Sequence, residues 1–384
     1  MDKKRIVITG VGVVAPNGIG KEEFWANCSA GVSGIKPITL FDTSRYRCHW
    51  AGEISNFQPE KYLGPKGLRN LDRTTLLSLV AAKLAIEDAK LEITPENCHD
   101  IGVVLGSTMG SVHSISTFDI EGLREGPRYV NPALFPNTVI NSPASQISIR
   151  FGIKGLNATI GTGFTASLNA LEYAIDMLQL GRIQTVLVGG VEELCIETFS
   201  GFHELGLFRS SVNDNSKVVV LESPTDITTL GEGAGLLVIE LLQSAEARGV
   251  VPYAEVLGVS SSFDPKSAAS FCVRESTSQA IIQQVLESAG LDPREVTAIC
   301  PWSSSSGEVE ALQAVFGKQA ALTSSPRHLI GECFSATGAL HVIAGLREQE
   351  RTMLVNNFSL IGNYASAILN TKPQQGKIGS RTHE

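Results

Sequence analysis

The chain has 384 residues, 43% hydrophobic and 18% charged, a balance that excludes a disordered protein and leaves room for one large two-part core or two domains. Its formal net charge of -8 excludes a general electrostatic attraction to nucleic acid or to acidic membranes. No apolar run approaches the roughly 20 residues that span a bilayer, and MDKKRIVITG runs from basic residues into a strand with no cleavage site, so a cytoplasmic protein is expected.

In chain order, Arg5 to Gly12 (RIVITGVG) is a β-branched strand ending in glycines. Gly10-x-Gly12 is no dinucleotide fingerprint, because no third glycine opens a helix and no ribose-binding acid follows in a βαβ unit. Leu76 to Ala89 reads as a helix apolar around most of its circumference, hence buried between layers. Ile101 to Gly106 is a wholly apolar strand that breaks into the small-residue loop STMGS, and VNPALFPNTVIN follows at Val130 to Asn141.

The next stretch organises the rest. Asn157 to Gly161 reads as an apolar strand, Gly161 and Gly163 mark a tight turn, and Ala166, Ala170, Leu171, Ala174 and Leu178 recur at helical spacing. Gly181 stops that helix, and Thr185 to Val188 form a second strand ending in Gly189-Gly190. A parallel β-α-β unit aims its first turn at the carboxyl edge of a sheet, where enzymes seat a nucleophile on an exposed, strained elbow beside a helix N-terminus. The residue at the tip is Phe164, which has no proton to give, no lone pair and no charge.

Beyond Gly201 to Leu205 and the glycine cluster Gly231 to Gly235, the second half repeats the first. Tyr253 to Val259 parallels the opening strand, Val296 to Cys300 parallels Ile101 to Gly106, Leu329 to Leu346 parallels the elbow and its helix, and Leu354 to Phe358 parallels Thr185 to Val188. Phe164 to Val188 and Glu332 to Asn356 both span 24 residues. Two tandem halves, 1–245 and 246–384, are expected to pack as a duplicated α/β fold of αβαβα layers. The seven cysteines (28, 48, 98, 195, 272, 300, 333) are scattered without a CxxC pair, so no disulfide framework and no metal site is expected.

These segments together resemble the β-ketoacyl-acyl carrier protein synthases, the thiolase-like ketosynthases. The family's elbow reads T-A-C-[ST]-S-G, then a helix, a glycine about 17 residues after the cysteine and a strand ending A-G-G-x-E. Here Gly181 lies 17 residues after Phe164, and Gly189-Gly190-Val191-Glu192 stands at the family's spacing. IVITGVGVVAPNG and Gly231-Glu232-Gly233-Ala234-Gly235 are similar to further landmarks, whereas Val218 to Thr229 (VVVLESPTDITT) replaces the family's basic and aromatic R-P-F-D-x-x-R-x-G-F. The likeness runs from Arg5 to Leu369 and implies the thiolase fold in five layers.

It also implies which positions carried chemistry. The family holds the acyl chain on a cysteine thiolate and uses two histidines as hydrogen-bond donors to charge that develops in decarboxylation and condensation. Phe164 stands at the cysteine position. Pro301, in a run two residues shorter than N-A-H-G-T-S-T-P-x-x-D-x-x-E, stands at the first histidine, and Glu332, in Arg327 to Gly338, at the second, where a carboxylate would repel an incipient enolate. The family's N-S-F-G-F-G-G-x-N has become Asn356-Asn357-Phe358-Ser359-Leu360-Ile361-Gly362-Asn363-Tyr364, with Leu360 at the gating phenylalanine. The resemblance therefore implies a ketosynthase-like subunit without catalytic residues or cofactor, of the chain-length-factor type found in type II polyketide and aryl-polyene systems. Its expected partners are a paralogous active ketosynthase, as a heterodimer, and an acyl carrier protein bearing malonyl and acyl chains. Leu134, Phe135 and Pro136 fall in the segment that crosses the family's dimer interface and lines the far end of the partner's acyl tunnel. Three readings stand beside this one: a relocated thiol at Cys333 or Cys300 serving a decarboxylating or condensing acyltransferase, a homodimeric acyl-binding protein, and Lys61, Lys66, Arg69 and Arg73 as either a carrier-docking run or a solvated face. His203 is read as a structural histidine.

Overall fold

The computed structural model describes residues 4–206, 210–212, 218–220, 229–303, 306–317, 322–323, 325–347 and 351–371. Most of the divergent stretch before the glycine cluster, residues 221–228, lies outside them, as do Arg209, 213–215 and Ser304-Ser305.

The first half is a mixed sheet of β1 (Ile6–Ala15), β2 (Ile101–Gly106), β3 (Asn157–Ile160), β4 (Thr185–Glu192) and β5 (Gly233–Leu241), in the order β1-β5-β4-β2-β3. The second half holds β6 (Ala254–Phe263), β7 (Ala298–Cys300), β8 (Thr352–Phe358) and β9 (Asn363–Asn370), in the order β6-β9-β8-β7. The two orders superpose: first strand, last, penultimate, then the second strand of each half, Ile101–Gly106 and Ala298–Cys300. A bridge from Ile299 to Leu322 stands where β3 stands in the first half. The sheets meet along β1 and β6 for three residues, Ile6↔Val256, Val7↔Glu255 and Ile8↔Ala254, and then diverge.

Helices fill the remaining layers. α1 (Arg73–Asp88) and α3 (Ser142–Phe151) cover the outer face of the first sheet, while α2 (Val112–Glu125) and α5 (Ile196–Glu204) lie to one side of it. α4 (Ala166–Gln179) and α8 (Thr337–Gly345) lie between the sheets and touch strands of both. α6 (Glu275–Ala289) and α7 (Ser306–Phe316) cover the outer face of the second sheet. These are the five layers expected. The Asp72 carboxylate caps α1 by accepting from Thr75 N at 2.7 Å, and Leu77, Leu79, Val80, Ala81, Ala82 and Ala85 are buried. Gly12 permits that contact: a Cβ there would stand 1.9 Å from the Ala81 carbonyl oxygen. The Gly10-x-Gly12 pair thus serves close helix-on-sheet packing.

Two expectations change. The equal 24-residue spacings do not mark counterparts, because α4 has 14 residues and α8 has 9. The 3-10 turns opening them, Gly163–Thr165 and Phe334–Ala336, pair Phe164 with Ser335 instead of Glu332. The elbow also does not expose its tip: the positive φ of 75° falls on Gly163, and Phe164 is turned into the core.

Candidate functional site

The site sits where the two elbow turns face each other. Phe164 is 1% exposed and packs edge-on against Phe334 with ring centroids 5.0 Å apart, and Phe202 of α5 lies 6.2 Å from Phe164 and 5.1 Å from Phe334. Asn357 Nδ2 donates to the Phe164 carbonyl oxygen at 2.8 Å, and Thr108 Oγ1 donates to the Gly163 carbonyl oxygen at 2.6 Å. Both flanks of the turn are pinned, so the aromatic ring is held in place between the two elbow turns. Phe334 holds a φ of 49°, a left-handed conformation unusual for a bulky residue, stabilised here by the packing that seats it on Phe164.

Glu332 is fully buried, and its carboxylate is committed to structure. Oε1 accepts from Thr337 Oγ1 at 2.6 Å and Phe334 N at 2.9 Å, and Oε2 accepts from Trp302 Nε1 and Arg327 Nη1, both at 3.2 Å. Arg327 stacks over the Trp302 ring at 4.3 Å and neutralises the carboxylate. The expected repulsion of an enolate by Glu332 therefore gives way to a closed Glu332–Arg327–Trp302 brace. Pro301 is half-buried at the end of β7 and hands the interior to Trp302, which is completely buried. Glu308 accepts from Trp302 N at 3.0 Å, Ser303 N at 2.8 Å and Asn356 Nδ2 at 2.9 Å, and its burial pushes its pKa up to about 7. Glu310, the last acid of the shortened motif, is exposed.

The two thiols considered as replacement nucleophiles are both buried. Cys333 is buried beneath the glycine cluster, its Sγ 3.3 Å from the Glu232 carbonyl oxygen, and burial raises its pKa well above 9. Burial also pushes Cys300 up to about 12. His341 does not face Cys333: its ring nitrogens meet Ser325 Oγ at 3.2 Å and the Asn356 carbonyl oxygen at 3.3 Å, and burial lowers its pKa to about 3. His328 is exposed. His203 is partly buried, edge-on to Tyr46 at 5.1 Å, and accepts from Arg47 N at 3.2 Å through Nε2, a structural role as expected.

The tunnel and interface positions separate. Leu360 is buried in the same cluster as Phe164, Phe358 and Tyr364, so it packs within this chain's own core. Leu134, Phe135 and Pro136 lie on the 3-10 turn Pro132–Thr138, held by Asn131 Oδ1, which accepts from Ala133 N at 3.0 Å. Phe135 is 58% exposed and meets Phe118 of α2 at 6.1 Å, while Leu134 is half-buried, so neither is a core residue of this chain. α2, which packs against this turn, has no buried residue, and Leu123 and Tyr129 are exposed. Of the basic run, Arg73 is removed: its guanidinium makes two 2.6 Å contacts with the fully buried Glu232, leaving Lys61, Lys66 and Arg69 exposed. Sequence reasoning assigned no role to Phe202, Phe334, Trp302, Arg327 or Asn357. Only Trp302 carried a signal, as a large apolar residue beside Pro301 in the shortened loop. Among the described residues there is no metal-ligand cluster and no helix long and apolar enough to cross a membrane.

Two duplicated halves whose elbow turns converge on the central helices define a thiolase-fold protein. The profile described as "Beta-ketoacyl synthase, N-terminal domain" matches residues 3–245, and "Beta-ketoacyl synthase, C-terminal domain" matches 253–360. The chain belongs to the β-ketoacyl synthase family. It is 32% identical over 353 residues to the 3-oxoacyl-[acyl-carrier-protein] synthase 2 of Staphylococcus aureus (strain COL), covering 88% of this chain and 84% of that protein. It is 30% identical over 355 residues to the enzyme of the same name from Vibrio cholerae serotype O1, covering 89% and 85%. Among solved structures, "The ishigamide ketosynthase/chain length factor" superposes with a TM-score of 0.84 at 26% identity, covering 97% of this chain and 100% of that one. A β-ketoacyl synthase from Burkholderia phymatum, at 22% identity and a TM-score of 0.83, covering 96% and 99%, shares the fold.

Proposed function

We propose that this chain is a non-catalytic, chain-length-factor-type subunit that pairs with an active ketosynthase, shapes the acyl tunnel and so sets how far a carrier-protein-bound polyketide or fatty acyl chain is elongated. The observation that supports it is the packing of the elbow: Phe164, at the position where the resemblance puts the nucleophile, is held between Phe334 and Phe202. Pro301 and the braced Glu332 supply no imidazole donor for decarboxylation or for an oxyanion. The active ketosynthase contributes the thiolate, and an acyl carrier protein delivers malonyl and acyl groups to the pair. The exposed face of Leu134, Phe135 and Pro136 is the contribution to the far end of the partner's tunnel. Each two-carbon unit admitted or excluded there is worth about 1 to 2 kcal/mol of apolar burial. The structural neighbour described as a ketosynthase/chain length factor supports this reading.

A second reading, a condensing or decarboxylating acyltransferase with relocated residues, is favoured by the relatives named as synthases. It lacks a thiolate, since Cys333 and Cys300 are buried thiols with raised pKa values. A homodimeric acyl-binding protein would require the exposed face to pair with its own copy.

Co-expression with the neighbouring ketosynthase, copurification and a malonyl-carrier-protein elongation assay on each subunit and on the complex test the proposal. Elongation by the complex alone, with product length altered by Leu134→Ala or Leu134→Trp, is the expected result. Condensation, or release of acetyl-carrier protein, by this chain alone would overturn it.

A further inference from the structure

An open pocket of about 330 Å³ in the first half shares no residue with the elbow and has no part in the reading above. Its walls are the turn Ala15 to Ile19 after β1, the helix Lys21–Ala30, the loop 32–36, Ile54-Ser55 and Tyr62. Its volume is at the lower end of the range that small-molecule sites occupy. Three hydrogen bonds fix its shape. Asn27 Nδ2 donates to the Asn17 carbonyl oxygen at 2.5 Å, Val32 N to the Asn27 carbonyl oxygen at 2.9 Å, and Gly34 N to the Leu329 carbonyl oxygen at 2.7 Å. Gly34 lets the loop lie against the turn, since a Cβ there would stand 2.4 Å from the Pro16 carbonyl carbon. The walls are set before a ligand arrives, which lowers the ordering cost of binding.

The polar groups that line the pocket form a donor set and an acceptor set, each incompletely paired. Among the described residues, the exposed Lys36 makes no ion pair and the Tyr62 hydroxyl no hydrogen bond. Burial, and the Glu23 carboxylate with it, raise the Tyr62 pKa, so this hydroxyl stays a donor. The acceptors are Glu23 and Asn17. Glu23 Oε2 accepts from Ile19 N at 3.0 Å, and its charge has no ion-pair partner among the described residues. Asn17 is 5% exposed, and its Oδ1 is buried without a hydrogen-bond partner, a deficit that a donor group in the pocket relieves. Lys36 and Glu23 border one space and do not pair with each other. A simple anion there meets Glu23, and a simple cation meets Lys36, so each brings like charges together. A ligand with both signs answers both sets, and Pro16, Ile19, Val32 and Ile54 offer apolar surface to the rest of it.

We propose that this pocket binds a small zwitterion, an α-amino acid with an apolar side chain. Its carboxylate accepts from Lys36 and Tyr62, its ammonium is held by Glu23 beside the Asn17 amide, and its side chain rests on Ile19 and Ile54. Isothermal titration calorimetry on the full chain tests this with L-leucine as the probe. Isocaproate, which lacks the ammonium, and isoamylamine, which lacks the carboxylate, compete as half-ligands. L-Leucine is expected to bind saturably at one site per chain, and each half-ligand at least about tenfold more weakly, the loss of one charge-assisted contact. Lys36→Met and Glu23→Gln should each weaken L-leucine by a similar factor. Both positions are exposed, glutamine keeps an acceptor for Ile19 N, and far-UV circular dichroism checks that each variant is folded. No saturable binding of L-leucine up to about 10 mM, a half-ligand that binds as tightly, or folded variants that bind as wild type would each overturn the proposal. The titration reads neither elongation nor pairing with a ketosynthase, so its failure leaves the chain-length reading untouched.

Discussion

Replacing Phe164 by alanine tests the elbow most directly. The ring is 1% exposed, lies edge-on to Phe334 at 5.0 Å, and sits above a turn whose carbonyls are held by Asn357 and Thr108, so the backbone has little freedom to collapse into the vacated space. Large-to-small truncation of a buried phenylalanine costs about 3 to 5 kcal/mol, with about 0.5 to 1.5 kcal/mol of that range assignable to an aromatic pair. A value near 4 kcal/mol is expected for Phe164→Ala, a large part of the roughly 5 to 15 kcal/mol that stabilises a typical folded protein. Urea unfolding, read as a shift in midpoint at unchanged slope, measures it. The complex of the folded variant with the ketosynthase should still elongate, because Phe164 performs no chemistry. Phe164→Cys should likewise leave this chain unable to condense alone, since Trp302 and the braced Glu332 remain in place of donors. A loss under about 1.5 kcal/mol would refute the packing argument, and condensation by Phe164→Cys alone would refute the assignment of Pro301 and Glu332 as silent positions.

Other expectations concern the interior around the elbow. Arg327→Met strands the buried Glu332 carboxylate and is expected to cost about 3 to 5 kcal/mol, while adding Glu332→Gln recovers part of it; a double-mutant cycle in urea checks the coupling. His341 has a folded pKa of about 3, below its unfolded value, so its contribution is fully present above about pH 6.5 and is lost as the pH falls towards 3. Between pH 7 and pH 5 the stability advantage of wild type over His341→Gln should shrink by about 2 kcal/mol, and a constant difference would contradict the burial of a neutral imidazole. Glu308 has the opposite sign: its raised pKa makes the protonated form favourable below about 4.5, and that stabilisation is lost as the pH rises through about 7, so Glu308→Gln should gain on wild type over that window. Gly12→Ala forces a Cβ to within 1.9 Å of the Ala81 carbonyl oxygen and should lower the unfolding midpoint, whereas the same change at an exposed site would hardly register.

Much of the fold was legible from local pattern. Strand-elbow-helix-strand at Asn157 to Glu192, its echo in the second half and the glycine clusters follow from hydrophobic period and turn chemistry, which act within a few residues and survive in a single sequence. The absence of a thiolate and of imidazoles at Phe164, Pro301 and Glu332 is likewise a property of residue identity alone. What packs around these three residues was decided by tertiary structure. Phe202 comes from 38 residues beyond Phe164, Phe334 from the other half, and Asn357 from a strand of the second sheet; no spacing along the chain announces that they converge. The same holds for Glu332, whose isolated carboxylate reads as an obstacle and whose position beside Arg327 and Trp302 makes it a brace. Arg73 reads as part of a basic surface run until Glu232, 159 residues away, claims it. A side chain's chemistry is local, but its partner is chosen by packing between elements distant in sequence, and that choice is made only when the layers close.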